Sequence, residues 1–227
     1  MSRKKSIAVA AIALVAIASA SQAASTSSPQ LKSLLDRLQK HYQQTKSFSA
    51  KFSEEISPEG GAKRDRTGTV YYRKPGQMRW EFEGEDHQTD QETIVSDGKL
   101  IYDYQPDLNQ VVETPLEQAF KSSSTAAFLL GIGDVQRDFD ASMPVTPPSD
   151  GLTHVVLTPK KGNDSFDMGV DPKTLDLRAL RLTDALGDVT NLAFSDLRRD
   201  TPLDDKLFTF TPPAGADIVK APQPNSH

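Results

Sequence analysis

The sequence predicts a mainly β (α+β) fold, with one amphipathic helix near the start followed by an antiparallel meander that closes toward a barrel or wraps a half-barrel. Three observations carry this. Apolar residues recur at helical spacing in only one long segment, most of the remaining chain alternates apolar and polar residues, and the alternating segments return about every ten residues between turn residues. Helices do not alternate with strands, which argues against parallel βαβ units.

The chain of 227 residues opens MSRKK, then runs SIAVAAIALVAIASA into the small-residue stretch SQAAS. That order of charged, apolar and small residues is that of a secretory signal peptide, with cleavage fitting after Ala20 or Ala23. The expected organisation is a leader over 1–23, one domain over 24–218 and a loose tail over 219–227. Ser28-Pro29 reads as a helix N-cap followed by proline at the first helical position, and Leu31, Leu34, Leu35, Leu38 and Tyr42 then recur at helical spacing. A helix is predicted over 29–45.

Strands follow. In SFSAKF, Phe48, Ala50 and Phe52 alternate with polar residues; PEGG supplies a turn, and GTVYYRK the next strand. RKPGQMRWEF puts Met78, Trp80 and Phe82 on one face and Arg79 and Glu81 on the other. TIVS and KLIYDYQ come next, the latter with Leu100, Tyr102 and Tyr104 on one face, bounded by Asp97-Gly98 and Gln105-Pro106-Asp107. Further strands are predicted at HVVLTPK, SFDMGVD, LRALRLTD, VTNLAFSDL and LFTFTPP. The middle, TPLEQAFKSSSTAAFLLGIG, breaks this rhythm with helix-like pieces at 115–121 and 125–131 joined by Ser122-Ser123-Ser124, and reads as a hinged flap.

Composition excludes several classes of function. Removing the leader takes Arg3, Lys4 and Lys5 from 26 basic residues, leaving 23 against 31 acidic ones, a net charge of −8. Such a balance argues against nucleic acid as a partner. The absence of cysteine excludes disulfides, thiol catalysis, thiolate metal sites and a lipid-modified N-terminal cysteine. His41, His87, His154 and His227 stand in no metal-ligand spacing, and there is no Gly-x-Ser-x-Gly elbow or phosphate-binding glycine loop. Acidic pairs such as Glu54-Glu55 and Asp204-Asp205 read as solvated turns or faces. What remains is the apolar row of Val70, Tyr72, Met78, Trp80, Phe82, Tyr102 and Tyr104, whose alternation by itself reads more readily as a filled core than as the wall of a cavity.

The order of segments resembles the periplasmic outer-membrane lipoprotein carrier family, LolA, across nearly the whole mature length. The matching stretches are LLDRLQKHYQQTKSFSAKFSEE, GTVYYRKPGQMRWEFE, IVSDGKLIYDYQPDLNQVVETPL, TAAFLLGIGD, HVVLTPK and LFTFTPPAGADIV. The resemblance implies an incomplete antiparallel β-barrel of about eleven strands, roofed by short helices over an apolar cavity. Its acyl-chain cavity would be lined by Phe48, Phe52, Val70, Tyr72, Met78, Trp80, Phe82 and Tyr102, with Phe128, Leu129 and Leu130 from the lid. The family keeps a basic residue before the strand-end proline that ties the lid to the barrel. Here Lys74 stands at that position, preceded by Arg73. Lysine lacks a planar fork of donors, so either this latch is looser, or Arg73 substitutes for it, or the lid is held differently. Both bases also read as ordinary solvated charges at a strand end.

The implied function is a non-enzymatic periplasmic chaperone without cofactor or metal. It would take acylated lipoproteins from an inner-membrane ABC transporter to an outer-membrane receptor, as a monomer. Two other classes stay open: a periplasmic sensor of lipids or lipoproteins on the same half-barrel, and an enzyme acting on lipid.

Overall fold

A computed structural model describes residues 28–83, 92–122, 134–160, 165–183 and 186–221. Helix α1 (Pro29–Gln44) begins as its sequence dictates: the Ser28 side chain accepts from the backbone N–H of Leu31 at 3.1 Å, and Pro29 occupies a position whose N–H no helix needs. It ends at Thr45, whose N–H and hydroxyl both donate to the carbonyl of His41. Leu31, Leu35 and Leu38 lie on one face at helical spacing and are buried.

Twelve strands form one sheet. They are β1 (Ser47–Ser57), β2 (Arg64–Arg73), β3 (Gln77–Phe82), β4 (Thr93–Asp97), β5 (Leu100–Gln105), β6 (Gln110–Pro115), β7 (Phe139–Ser142), β8 (Thr153–Pro159), β9 (Ser165–Val170), β10 (Leu177–Thr183), β11 (Val189–Arg199) and β12 (Asp217–Lys220). Their order is β12-β6-β5-β4-β3-β2-β1-β11-β10-β9-β8-β7. Every neighbouring pair is antiparallel except β12 with β6, so the predicted meander is present and carries one parallel strand at its edge. Helices α2 (Leu116–Ser122) and α3 (Val135–Asp138) complete the described elements. The piece expected at 125–131 lies outside the described residues. Among the described residues, no helix is long and apolar enough to cross a membrane.

The sheet has an inner face, which packs the α1 leucines. On it, Phe52, Val70 and Phe82 join Phe139, Val155, Leu157, Phe166, Met168, Leu180 and Leu192 in one continuous core. Gly68 belongs to this face because nothing larger fits: a Cβ there would stand 2.1 Å from the Glu81 carbonyl oxygen and 2.7 Å from the Phe52 ring.

The outer face has a second, smaller core. Two departures from the sequence reading meet there. LFTFTPP is not a strand; its start lies in a 3-10 turn, Asp205–Phe208, and the segment crosses the outer face of the sheet. Phe208 is buried, and Phe210 stacks on Tyr102 with ring centres 5.4 Å apart. Val95, Tyr104 and Val111, buried beside them, complete this cluster. The strap then ends in β12, which reaches Lys220 and so extends two residues into the stretch expected to be loose tail.

Candidate functional site

Cross-strand pairing fixes which side chains share a face. Phe48 lies opposite Tyr72, which lies opposite Met78. Ala50 lies opposite Val70, then Trp80, then Ile94. Phe52 lies opposite Gly68, and Gly68 opposite Phe82. Seven of the residues picked from the sequence, Phe48, Phe52, Val70, Tyr72, Met78, Trp80 and Phe82, therefore meet on the inner face of β1–β3. Phe52 sits at their centre because Gly68 beneath it carries no side chain; its ring meets Trp80 at 4.9 Å and Phe82 at 5.2 Å, both edge to face. Phe48 and Tyr72 lie 5.3 Å apart. Burial pushes the Tyr72 phenol well above its usual range, which keeps it neutral.

The row is graded in exposure. Phe52, Val70, Tyr72 and Phe82 are buried, whereas Phe48, Met78 and Trp80 are only half-buried, as is Ile94 on the neighbouring strand. Phe194, opposite Phe52 on β11, extends the surface; its ring lies 6.4 Å from Trp80. Ala50 falls on the face that its alternation with Phe48 and Phe52 assigns, whereas Ile94 and Phe194 stand in strands whose inner face the sequence does not mark.

Tyr102 requires a correction. It pairs with Val95 and stacks on Phe210, so it belongs to the outer core rather than the inner face. In KLIYDYQ both alternating rows are partly apolar, so alternation alone does not decide which is inner, and the aromatic row faces outward. The strap residues Phe208 and Phe210 supply the apolar cover that lets two tyrosines face outward. Asp103, between them, consequently faces inward, level with Ile94 and Trp80. Phe128, Leu129 and Leu130 lie outside the described residues.

The lid expected to be tied by Lys74 or Arg73 lies largely outside the described residues; within them, the two bases hold other segments. The Lys74 ammonium donates to the carbonyls of Tyr42 and Gln43, both at 2.7 Å, closing the C-terminal end of α1 with a positive charge where the helix dipole is negative. Burial lowers the pKa of this lysine, while Asp200 acts in the opposite direction. Arg73 turns to the outer face. Its guanidinium donates to Asp205 at 2.6 Å and to the Leu203 carbonyl at 3.2 Å, and lies 4.6 Å above the Phe208 ring, pinning the strap.

One end of the inner row is charged. Arg66 donates through Nε to Glu54 and through a terminal nitrogen to Glu92, each at 2.7 Å, and its guanidinium lies 4.1 Å over the Phe82 ring. Burial raises the pKa of Glu92 against the pull of Arg66, and Asp103 and Glu54 raise it further. Nothing in the sequence marks this group: Glu54-Glu55 reads as a solvated pair, whereas β1 turns the two side chains to opposite faces. On the outer face, a recess of about 490 Å³ is lined by Ser53, Thr67, Ala179, Ala193 and Arg181 with His154. His154 is buried there between Asp167 on Nδ1, at 2.8 Å, and Asp150 on Nε2, at 2.9 Å.

Comparison with known proteins agrees with this architecture. Residues 43–211 match the family described as outer membrane lipoprotein carrier protein LolA. An outer-membrane lipoprotein carrier protein of Dechloromonas aromatica is 34% identical over 187 residues, covering 82% of this chain and 86% of its own length. That of Cupriavidus necator is 34% identical over 218 residues, covering 94% and 96%. A crystal structure of an uncharacterized conserved protein from Thermus thermophilus shares the fold, with a TM-score of 0.52 at 16% identity over 85% of this chain and 99% of that one. The protein with this open, strapped sheet is a member of the LolA outer membrane lipoprotein carrier family.

Proposed function

We propose that this protein is a periplasmic carrier that shields the acyl chains of lipoproteins released from the inner membrane and delivers them to a receptor in the outer membrane. The observation that carries the reading is the half-buried apolar row of Phe48, Met78 and Trp80 on the inner face of an open sheet. Family membership supports the same reading. The leader over 1–23 supplies export, and an inner-membrane ABC transporter supplies the cargo.

The physics of such a carrier is a balance. Each methylene taken out of water is worth about 0.8 kcal/mol, so hiding even part of one lipid gains on the order of ten kcal/mol. Release therefore needs a better acceptor and a carrier whose net affinity is moderate. Work done in opening a lid over the row would offset part of the burial gain. Met78 adds a flexible thioether that repacks around chains of different length. The protein carries out no chemistry on its cargo and acts as a monomer.

The test is uptake by variants. Trp80→Glu and Leu129→Glu each place a carboxylate where a chain must lie and should abolish transfer of acylated lipoprotein from inner-membrane vesicles. Unimpaired transfer by both would refute the assignment.

A further inference from the structure

We propose that Asp103 makes the inner face selective for acyl ligands that bear a primary ammonium group beside their chains. The inference rests on the carrier reading above and adds the chemical class of cargo it prefers. Pairing places Asp103 level with Ile94 and Trp80, between the apolar row and its charged end. Its Oδ2 accepts from the Gln105 amide at a long 3.3 Å; its Oδ1 is buried and, among the described residues, has no hydrogen-bond partner. A buried carboxylate oxygen left unpaired is costly, so it is a standing demand for a donor.

Arg66 does not meet that demand, because Glu54 and Glu92 already take its guanidinium, which is stacked on Phe82. Among the described residues, three carboxylates thus stand against one cation at this end of the row. An ammonium brings three donors and one charge, and the face of the half-buried Trp80 attracts cations as well. A divalent metal fits less well, since it needs several oxygen ligands and only Asp103 is uncommitted. An anionic headgroup would be repelled.

The experiment follows Trp80 emission in the full-length mature protein during titration with tetradecylammonium and with tetradecanoate, which have equal chain length. Wild type should bind the ammonium about tenfold more tightly, the effect of one charge-assisted hydrogen bond. Asp103→Asn should bring the two affinities together while keeping both ligands bound. The acidic net charge favours cations everywhere on the surface, and the variant removes that background from the comparison. Two further pairs separate the sources of the amine: a diacylglyceryl-cysteinyl peptide with a free or an acetylated α-amine, and phosphatidylethanolamine against phosphatidylglycerol. Preference for the free amine assigns the role to the polypeptide, and preference for ethanolamine to a lipid headgroup. Equal affinities in wild type, or a preference unchanged in Asp103→Asn, overturn the proposal and leave the carrier reading intact; binding of no probe overturns both. Unliganded Asp103→Leu should melt at a higher temperature than wild type, because an orphaned carboxylate is gone. A lower melting temperature would show Asp103 to be a structural partner and would also overturn the proposal.

Discussion

At the scale of single residues, two positions decide local stability. Gly68 leaves room for the Phe52 ring and the Glu81 carbonyl, and a Cβ would fall 2.1 Å from that oxygen. Gly68→Ala should therefore destabilise the fold by about 1–3 kcal/mol, the usual cost of overpacking, and chemical denaturation measures it. His154 is the second. Burial opposes its charge, but hydrogen bonds that its ring nitrogens donate to Asp167 and Asp150 outweigh that and raise its pKa above the ordinary histidine value. A group raised in the folded state contributes stability that is fully present below its unfolded pKa, about 6.5, and is lost as pH rises through the folded value. Thermal melts across mildly acid to alkaline pH should show wild type losing stability relative to His154→Asn over that interval. Parallel curves would contradict the bracket. Residue identity alone did not reveal this histidine, because its partners come from a loop and a different strand, Asp150 and Asp167.

At the scale of elements, legibility depended on whether the two faces of a strand differ in chemistry. MRWEF was readable because Arg79 and Glu81 alternate with Met78, Trp80 and Phe82, so only one face could be inner. KLIYDYQ was not, because Tyr102 and Tyr104 had an apolar cover that only the distant strap provides. LFTFTPP alternates like a strand for the same reason: Phe208 is buried, and Phe210 packs against the tyrosines, without a ladder partner. The helix α1 was legible to its first residue, since its cap, its proline and its leucines all agree. Two element-level outcomes follow. Phe208→Ala should cost about 3–5 kcal/mol, as for other buried phenylalanines, and should free the strap to proteolysis. Lys74→Met should cost about 1–2 kcal/mol by leaving the Tyr42 and Gln43 carbonyls without their donor, with faster amide exchange confined to the last turns of α1.

At the scale of the whole molecule, the twelve described strands do not close on themselves, and α1 covers part of the inner face. A core and a half-buried apolar row thereby share one face: the leucines of α1 and Phe139, Phe166 and Met168 are buried, while Phe48, Met78 and Trp80 stay partly open. The fold class and seven of the inner-face residues were legible because both follow from alternation. Asp103 and the Glu54–Arg66–Glu92 group were not, because their meaning depends on register across five strands.

Trp80 is the chain's single tryptophan, and it stands in the middle of the row. Its emission during titration with a diacylated lipoprotein peptide, compared with the same peptide lacking its acyl chains, tests the central claim most directly. Saturable movement to shorter wavelength with the acylated peptide alone is the predicted result; emission that stays unchanged while the acylated peptide co-elutes with the protein would contradict it.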